Sequence, residues 1–159
     1  MGNVVTLAEA DRVCAEARRA GRRLVFTNGY FDLLHTGHLR YLQQARALGD
    51  LLMVGVNADA TARRAKDPRR PIVPEDERAE VLAGLACVDY VVIFTEDTAE
   101  ALLDRLRPDV YTKGADYSAA NLPEAEVVRR YGGRVELLPF QAGRSTTNII
   151  DTILDRYRQ

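Results

Sequence analysis

Apolar positions along the chain alternate between short continuous runs and stretches with helical spacing, and this alternation predicts most of the architecture. Thr6 opens a first helix over 6–20: Glu9, three residues on, completes a capping box, Gly21 supplies the stop, and Leu7, Ala10, Val13, Cys14 and Ala17 form one stripe. A short apolar run over 24–27 reads as a buried strand ending at Asn28-Gly29, and 51–56 reads as a second, bounded by Gly49-Asp50 and Asn57. Between them, Leu39, Leu42, Ala45 and Leu48 recur at helical spacing within 36–48. The pattern continues with helices over 74–85, 98–106, 123–131 and 145–156, and with strands over 90–94, 110–112 and 135–138. Strands alternating with helices predict a single α/β domain over 1–159, a doubly wound, Rossmann-like parallel sheet in a three-layer α/β/α arrangement. The first helix is expected to pack on that sheet, and no internal repeat or linker divides the chain. One stretch breaks the pattern: Arg63-Arg64-Ala65-Lys66-Asp67-Pro68-Arg69-Arg70-Pro71 is expected as a basic, proline-punctuated loop directly after the second strand, on the carboxyl side of the sheet.

Composition narrows the class. The 159 residues are 47% hydrophobic and 28% charged, and no apolar run approaches the ~20 residues needed to span a bilayer. Lys+Arg of 22 against Asp+Glu of 23 leaves a net charge of -1, so no basic field draws in a polynucleotide; no nucleic acid and no membrane partner is expected. Cys14 and Cys87 have neither metal-ligand nor secreted-disulfide spacing, and the N-terminus lacks a basic segment followed by an apolar one, so the expected compartment is the cytoplasm. What is unusual is the scarcity of some residues: Lys66 and Lys113 are the only lysines, and His35 and His38, both within one tetrapeptide, are the only histidines.

That tetrapeptide lies in the most informative stretch, from Asn28 and Gly29 through Tyr30, Phe31 and Asp32 to His35-Thr36-Gly37-His38. A strand ends, the chain is expected to turn at Gly29, and a helix starts near Thr36, aiming free N–H groups and a positive helix end at one point. This is the local chemistry of a phosphate site, with Gly37 leaving room for a phosphate to approach the backbone between two histidines at i,i+3. A zinc site would need a third ligand that the chain does not offer nearby, and neither the Walker A nor the G-x-G-x-x-G pattern occurs. Ser145, Thr146 and Thr147 open another helix, where one hydroxyl suffices for capping and the others are available to phosphate.

The stretch Tyr30-Phe31-Asp32 with His35-Thr36-Gly37-His38 resembles the H-x-G-H signature of the cytidylyltransferase-like nucleotidyltransferases. Arg144-Ser145-Thr146-Thr147-Asn148-Ile149-Ile150 stands where that family has a Ser-Thr-Thr motif at its last helix. Within the family, Lys113-Gly114-Ala115-Asp116-Tyr117 and the segment from Arg144 look most like the D-glycero-β-D-manno-heptose 1-phosphate adenylyltransferases. The resemblance implies transfer of AMP from ATP, with Mg²⁺, to a sugar phosphate, by in-line attack on the α-phosphorus and release of pyrophosphate. It assigns His35, His38 and Lys66 to the reacting phosphates. Asn28, Gly29, Tyr30, Phe31, Gly37, Lys113, Gly114, Arg144, Ser145, Thr146 and Thr147 are expected around the nucleotide, and so is Arg78, which matches a family arginine. Asp32 is expected to support the histidines or the metal, Asp116 to meet a sugar hydroxyl or Mg²⁺, and Arg69 to help bind substrate. A homodimer is also implied. The rival within the same chemistry is a glycerol 3-phosphate cytidylyltransferase, or an adenylyltransferase of another small phosphate such as flavin mononucleotide. Outside that chemistry stands a catalytically silent nucleotide-binding module.

Overall fold

In the computed structural model, which describes residues 1–115, 118, 121–139 and 143–158, six parallel strands form one sheet. In chain order the elements are β1 (Asn3–Val5), α1 (Leu7–Arg19), β2 (Leu24–Gly29), α2 (Thr36–Arg46), β3 (Leu51–Asn57), α3 (Asp59–Ala65) and α4 (Glu75–Ala83). They continue as β4 (Tyr90–Phe94), α5 (Glu100–Leu106), β5 (Val110–Gly114), α6 (Glu124–Arg130), β6 (Arg134–Leu138) and α7 (Thr146–Tyr157). The sheet order is β1-β4-β3-β2-β5-β6. Successive crossovers run one way from β2 through β3 to β4 and the other way from β5 to β6, so the carboxyl ends of β2 and β5 diverge. That divergence is the crevice in which open α/β sheets bind ligands.

The period of two along each strand splits the core into two layers. Phe26, Met53, Phe94 and Tyr111 face α1, α5 and α6, whereas Val25, Leu52, Val54 and Val91 face α2 and α4. β3 is buried along its whole length, as a strand covered on both faces must be. α1 is held at its start by the expected capping box: Thr6 Oγ1 accepts from the Glu9 N–H at 3.2 Å and Glu9 accepts from the Thr6 N–H at 2.7 Å.

Two elements differ from expectation. β1 is an additional edge strand of three residues, paired with β4. The region after β3 is not loop throughout: Asp59 to Ala65 forms α3, with Arg63 and Arg64 in its last turn, and the irregular segment begins at Lys66. Its alanines and the Asp59 carboxylate at the positive helix end favour one short helix there.

Candidate active site

β2 runs on to Gly29, and the residue that takes the left-handed conformation is Phe31, at φ 49°. The expected turn at Gly29 is thus displaced onto a bulky residue, at a cost of about 1–3 kcal/mol. Packing offsets it: Phe31 is buried, its ring lies 5.5 Å from that of His38, and a Cβ on Gly29 would stand only 3.0 Å from it.

His35 is the N-cap of α2, its Nδ1 accepting from the Gly37 N–H at 3.1 Å. In the neutral ring the proton therefore resides on Nε2, which is left as a donor. Gly37 permits this fold-back, since a Cβ there would lie 2.8 Å from the imidazole. One turn on, the His38 ring stands 3.9 Å from that of His35, centroid to centroid. Burial, reinforced by the neighbouring His35, pushes His38 down to about 4; burial and the Arg144 guanidinium lower His35. Near neutral pH the pair contributes N–H donors rather than charge.

The start of α7 faces that of α2. Ser145 accepts from the Asn148 N–H at 3.0 Å, and Thr146 Oγ1 donates to the Leu33 carbonyl at 3.1 Å, tying the last helix to the histidine loop. Arg70 reaches Thr147 Oγ1 at 3.4 Å from the other side. Two positive helix ends converge, with hydroxyls already oriented.

Asp32 lines the same cavity as His38, and its carboxylate accepts from the Ile72 N–H at 2.9 Å and the Val73 N–H at 3.0 Å, pinning the segment after Lys66 beside the site. Two expectations are corrected here. The Arg78 side chain is sealed from solvent. It donates to the carbonyls of Val73, Tyr30 and Asn57 and pairs with Asp59 at 2.7 Å, so it positions four segments around the pocket instead of contacting a nucleotide. Arg69 points away, 89% exposed and neutralised by Asp67 at 2.8 Å; Arg70 takes the place expected of it. Asp116 lies outside the described residues.

Besides a mostly apolar one of about 380 Å³ between Leu33, Leu34, Val73, Val81, Ile149 and Ile153, three adjoining cavities result. One, of about 200 Å³, is lined by Tyr30, Asp32, His38, Lys66, Arg70 and Thr146 among others. A second, of about 320 Å³, lies along α7 between His35, Arg144, Ser145, Asn148, Ile149 and Ile153. A third, of about 300 Å³, shares Tyr30 and Lys66 with the first and extends to Asn28, Asn57, Lys113 and Glu124. The Lys66 ammonium stands 5.4 Å from the Tyr30 ring centroid at the junction, and Lys113 Nζ donates to the Asn28 carbonyl at 3.3 Å. Gly114 ends β5 without lining any of these cavities.

Beneath the floor, Tyr41 OH bonds Thr27 Oγ1 at 2.8 Å and Thr112 Oγ1 at 3.0 Å, and Tyr111 OH donates to Asn28 Oδ1 at 2.7 Å. These buried bonds rivet β2, β5 and α2 at the switch point. Sequence reasoning missed them, and it missed Arg70 and Glu124. Among the described residues no three His, Cys, Asp or Glu side chains cluster to hold a metal, and no helix is long and apolar enough to cross a membrane.

The profile of the family described as cytidylyltransferase-like matches residues 26–151, which include the loop after β2, both histidines and the first turns of α7. The chain belongs to that family. It is 58% identical over 156 residues to the bifunctional protein HldE of Syntrophotalea carbinolica, covering 98% of this chain and 32% of that protein. It is 53% identical over 147 residues to that of Trichlorobacter lovleyi, covering 92% and 30%. The chain thus spans about a third of the length of the curated relatives it matches. Among solved structures, the lipopolysaccharide core biosynthesis protein of Thermoplasma volcanium superposes with a TM-score of 0.62 at 31% identity, covering 76% of this chain and 98% of that one. The pantoate-beta-alanine ligase of Francisella tularensis superposes with a TM-score of 0.63, covering 100% of this chain and 80% of that one; at 13% identity it shares the fold alone.

Proposed function

We propose that this family member transfers AMP from ATP to D-glycero-β-D-manno-heptose 1-phosphate, releasing pyrophosphate and forming an ADP-heptose. The observation that carries the reading is the convergence of two helix N-termini, both histidines and Lys66 on one crevice at the β2/β5 switch point. The identity to the bifunctional HldE proteins favours the sugar phosphate over glycerol 3-phosphate.

The chemistry demanded is modest. An acceptor phosphate oxygen attacks the α-phosphorus in line, the new P–O bond forms, the α–β bridging bond breaks, and pyrophosphate carries off the electron pair. The nucleophile is already ionised at pH 7, so no general base is needed; positioning and charge stabilisation do the rest. The Nε2–H of His35, the ring of His38, the N–H groups opening α2 and α7, Arg70 and Lys66 supply donors and charge on both sides of the transferring phosphoryl group. Ile149 and Ile153 beside Asn148 offer the nucleoside an apolar shelf with one amide. Mg²⁺ neutralises triphosphate oxygens when it is bound. The donor set, without a cluster of acidic side chains among the described residues, fits a metal that arrives on ATP and keeps most of its waters. Two unpaired thiols and the use of ATP accord with a cytoplasmic enzyme.

The reading extends to a homodimer formed through α7. None of that helix's residues is buried, and Ile153, Leu154 and Tyr157 are exposed along one stripe. Asp151 on α7 and Arg158, its C-cap residue, would pair with Arg158 and Asp151 of a second, antiparallel copy.

The deciding assay is a matrix of four nucleoside triphosphates against a panel of sugar and polyol phosphates, read by pyrophosphate release. ATP with the heptose 1-phosphate is expected to be the best pair. CTP with glycerol 3-phosphate as the best pair, or no release with any pair, would overturn the reading.

A further inference from the structure

The third cavity has a charge pattern that a nucleoside triphosphate does not explain. Its lining includes Lys66, which it shares with the first cavity, and Lys113. It also includes Glu124, on the first turn of α6, only 6% of whose surface is accessible. Among the described residues nothing donates a hydrogen bond to the Glu124 carboxylate or forms an ion pair with it. Other polar groups on the same wall are occupied: Thr98 donates to Glu100 and Asp97 pairs with Arg64. Glu124 is thus a largely buried side chain whose carboxylate opens onto the cavity, where its acceptors are available to a ligand that brings donors.

We infer that this cavity is the subsite of the acceptor's carbon skeleton, and that Glu124 is a specificity-determining residue that accepts hydrogen bonds from the hydroxyl groups of a phosphorylated sugar. The inference rests on the adenylyl-transfer reading for its reaction but on separate residues for its geometry. A phosphate bound at Lys66, which with Tyr30 is shared by the two cavities, would adjoin the first cavity, as an attacking oxygen must. The skeleton attached to it would occupy the third cavity, which Asn57 and Glu124 line. The alternatives fit less well. Two lysines in the same cavity disfavour a cation, and inorganic phosphate alone leaves the carboxylate unsatisfied. A hydroxyl donates and a carboxylate accepts, so a polyol phosphate satisfies both ends at once.

Glu124→Gln keeps the shape and one acceptor; Glu124→Ala removes both. Calorimetric titration of the full chain with D-glycero-β-D-manno-heptose 1-phosphate, without ATP, is expected to show affinity weakened about tenfold or more in E124A and less in E124Q. Binding of inorganic phosphate and the KM for ATP should stay unchanged. In turnover, the acceptor KM should rise, while the preference for the heptose phosphate over glycerol phosphate should shrink by a similar factor. Sugar-phosphate affinity equal in wild type and E124A, or no binding to the wild type, overturns the subsite. If no nucleotide is transferred to any acceptor, the adenylyl-transfer reading fails separately, and the calorimetric comparison still decides the subsite.

Discussion

At the scale of single residues the site depends on where protons and buried charge are held. His38 sits with its pKa pushed down to about 4, because its environment disfavours the charged ring. The unfolded chain titrates near the ordinary 6.5, so between these values the unfolded state binds more protons than the folded one. Stability is therefore full above pH 6.5 and falls as pH drops toward 4; urea unfolding across that range should show the loss, and His38→Asn, which cannot titrate, should flatten it. A slope identical in the variant would show that other groups carry the acid sensitivity. For the reaction, His38→Ala should lower kcat by about 10²-fold with the fold intact by circular dichroism, as the loss of a transition-state hydrogen bond would; unchanged turnover would remove His38 from the machinery. Arg78 marks the limit of sequence reading. The family resemblance implies a nucleotide contact, but only the tertiary structure shows its donors spent on three carbonyls and Asp59. Arg78→Met should accordingly cost about 3–5 kcal/mol in urea unfolding, since it strands buried partners. A cost near zero, with only the KM for ATP raised, would restore the ligand role.

At the scale of elements, what was legible had a local cause. The capping box announced α1, continuous apolar runs announced β2 to β5, and clustering of both histidines at a strand-to-helix turn announced the start of α2. β1 was not legible, because three residues acquire strand character only by pairing with β4, and α3 was hidden by its length and by the basic residues that follow it. Glu124 reads in sequence as an ordinary acidic residue at a helix start; its burial comes from how α6 packs against α5 and β6. The loop into α2 was legible as chemistry but not as geometry, since nothing local reveals that His35 caps the helix with its own ring or that Phe31 takes the left-handed turn. That cap can be tested through its neighbour. Gly37→Ala places a methyl group where the imidazole folds back, 2.8 Å away, so it should dislodge His35. The expected cost is about 1 kcal/mol of stability, the worth of an N-cap, together with a fall in kcat that exceeds any change in the KM for the acceptor. Wild-type kcat in the alanine variant would mean that the folded-back ring is dispensable.

At the scale of the whole molecule, α7 is the element that the chain itself does not explain. Its first turn is built into the site through Thr146 and Ser145, and Ile149 and Ile150 are half-buried, but no residue of the helix is fully buried, so the helix that completes the proposed phosphate site lacks a core of its own. Amphipathic helices owe most of their stability to packing, and a twelve-residue helix is marginal alone in water. Covering the stripe of Ile153, Leu154 and Tyr157 with the same stripe of a second copy would supply that packing, and the proposed two-fold would set Asp151 against Arg158 twice over. Sedimentation at micromolar concentration should therefore find a dimer, and Leu154→Glu a monomer. Asp151→Arg should weaken association, and adding Arg158→Asp to it should restore much of the loss, because only a direct pair couples in this way. Since α7 opens on the triphosphate, the monomeric variant should also show a raised KM for ATP. A monomeric wild type with full activity would assign the stripe to a different protein surface, and an intact L154E dimer would place the two-fold elsewhere on the molecule.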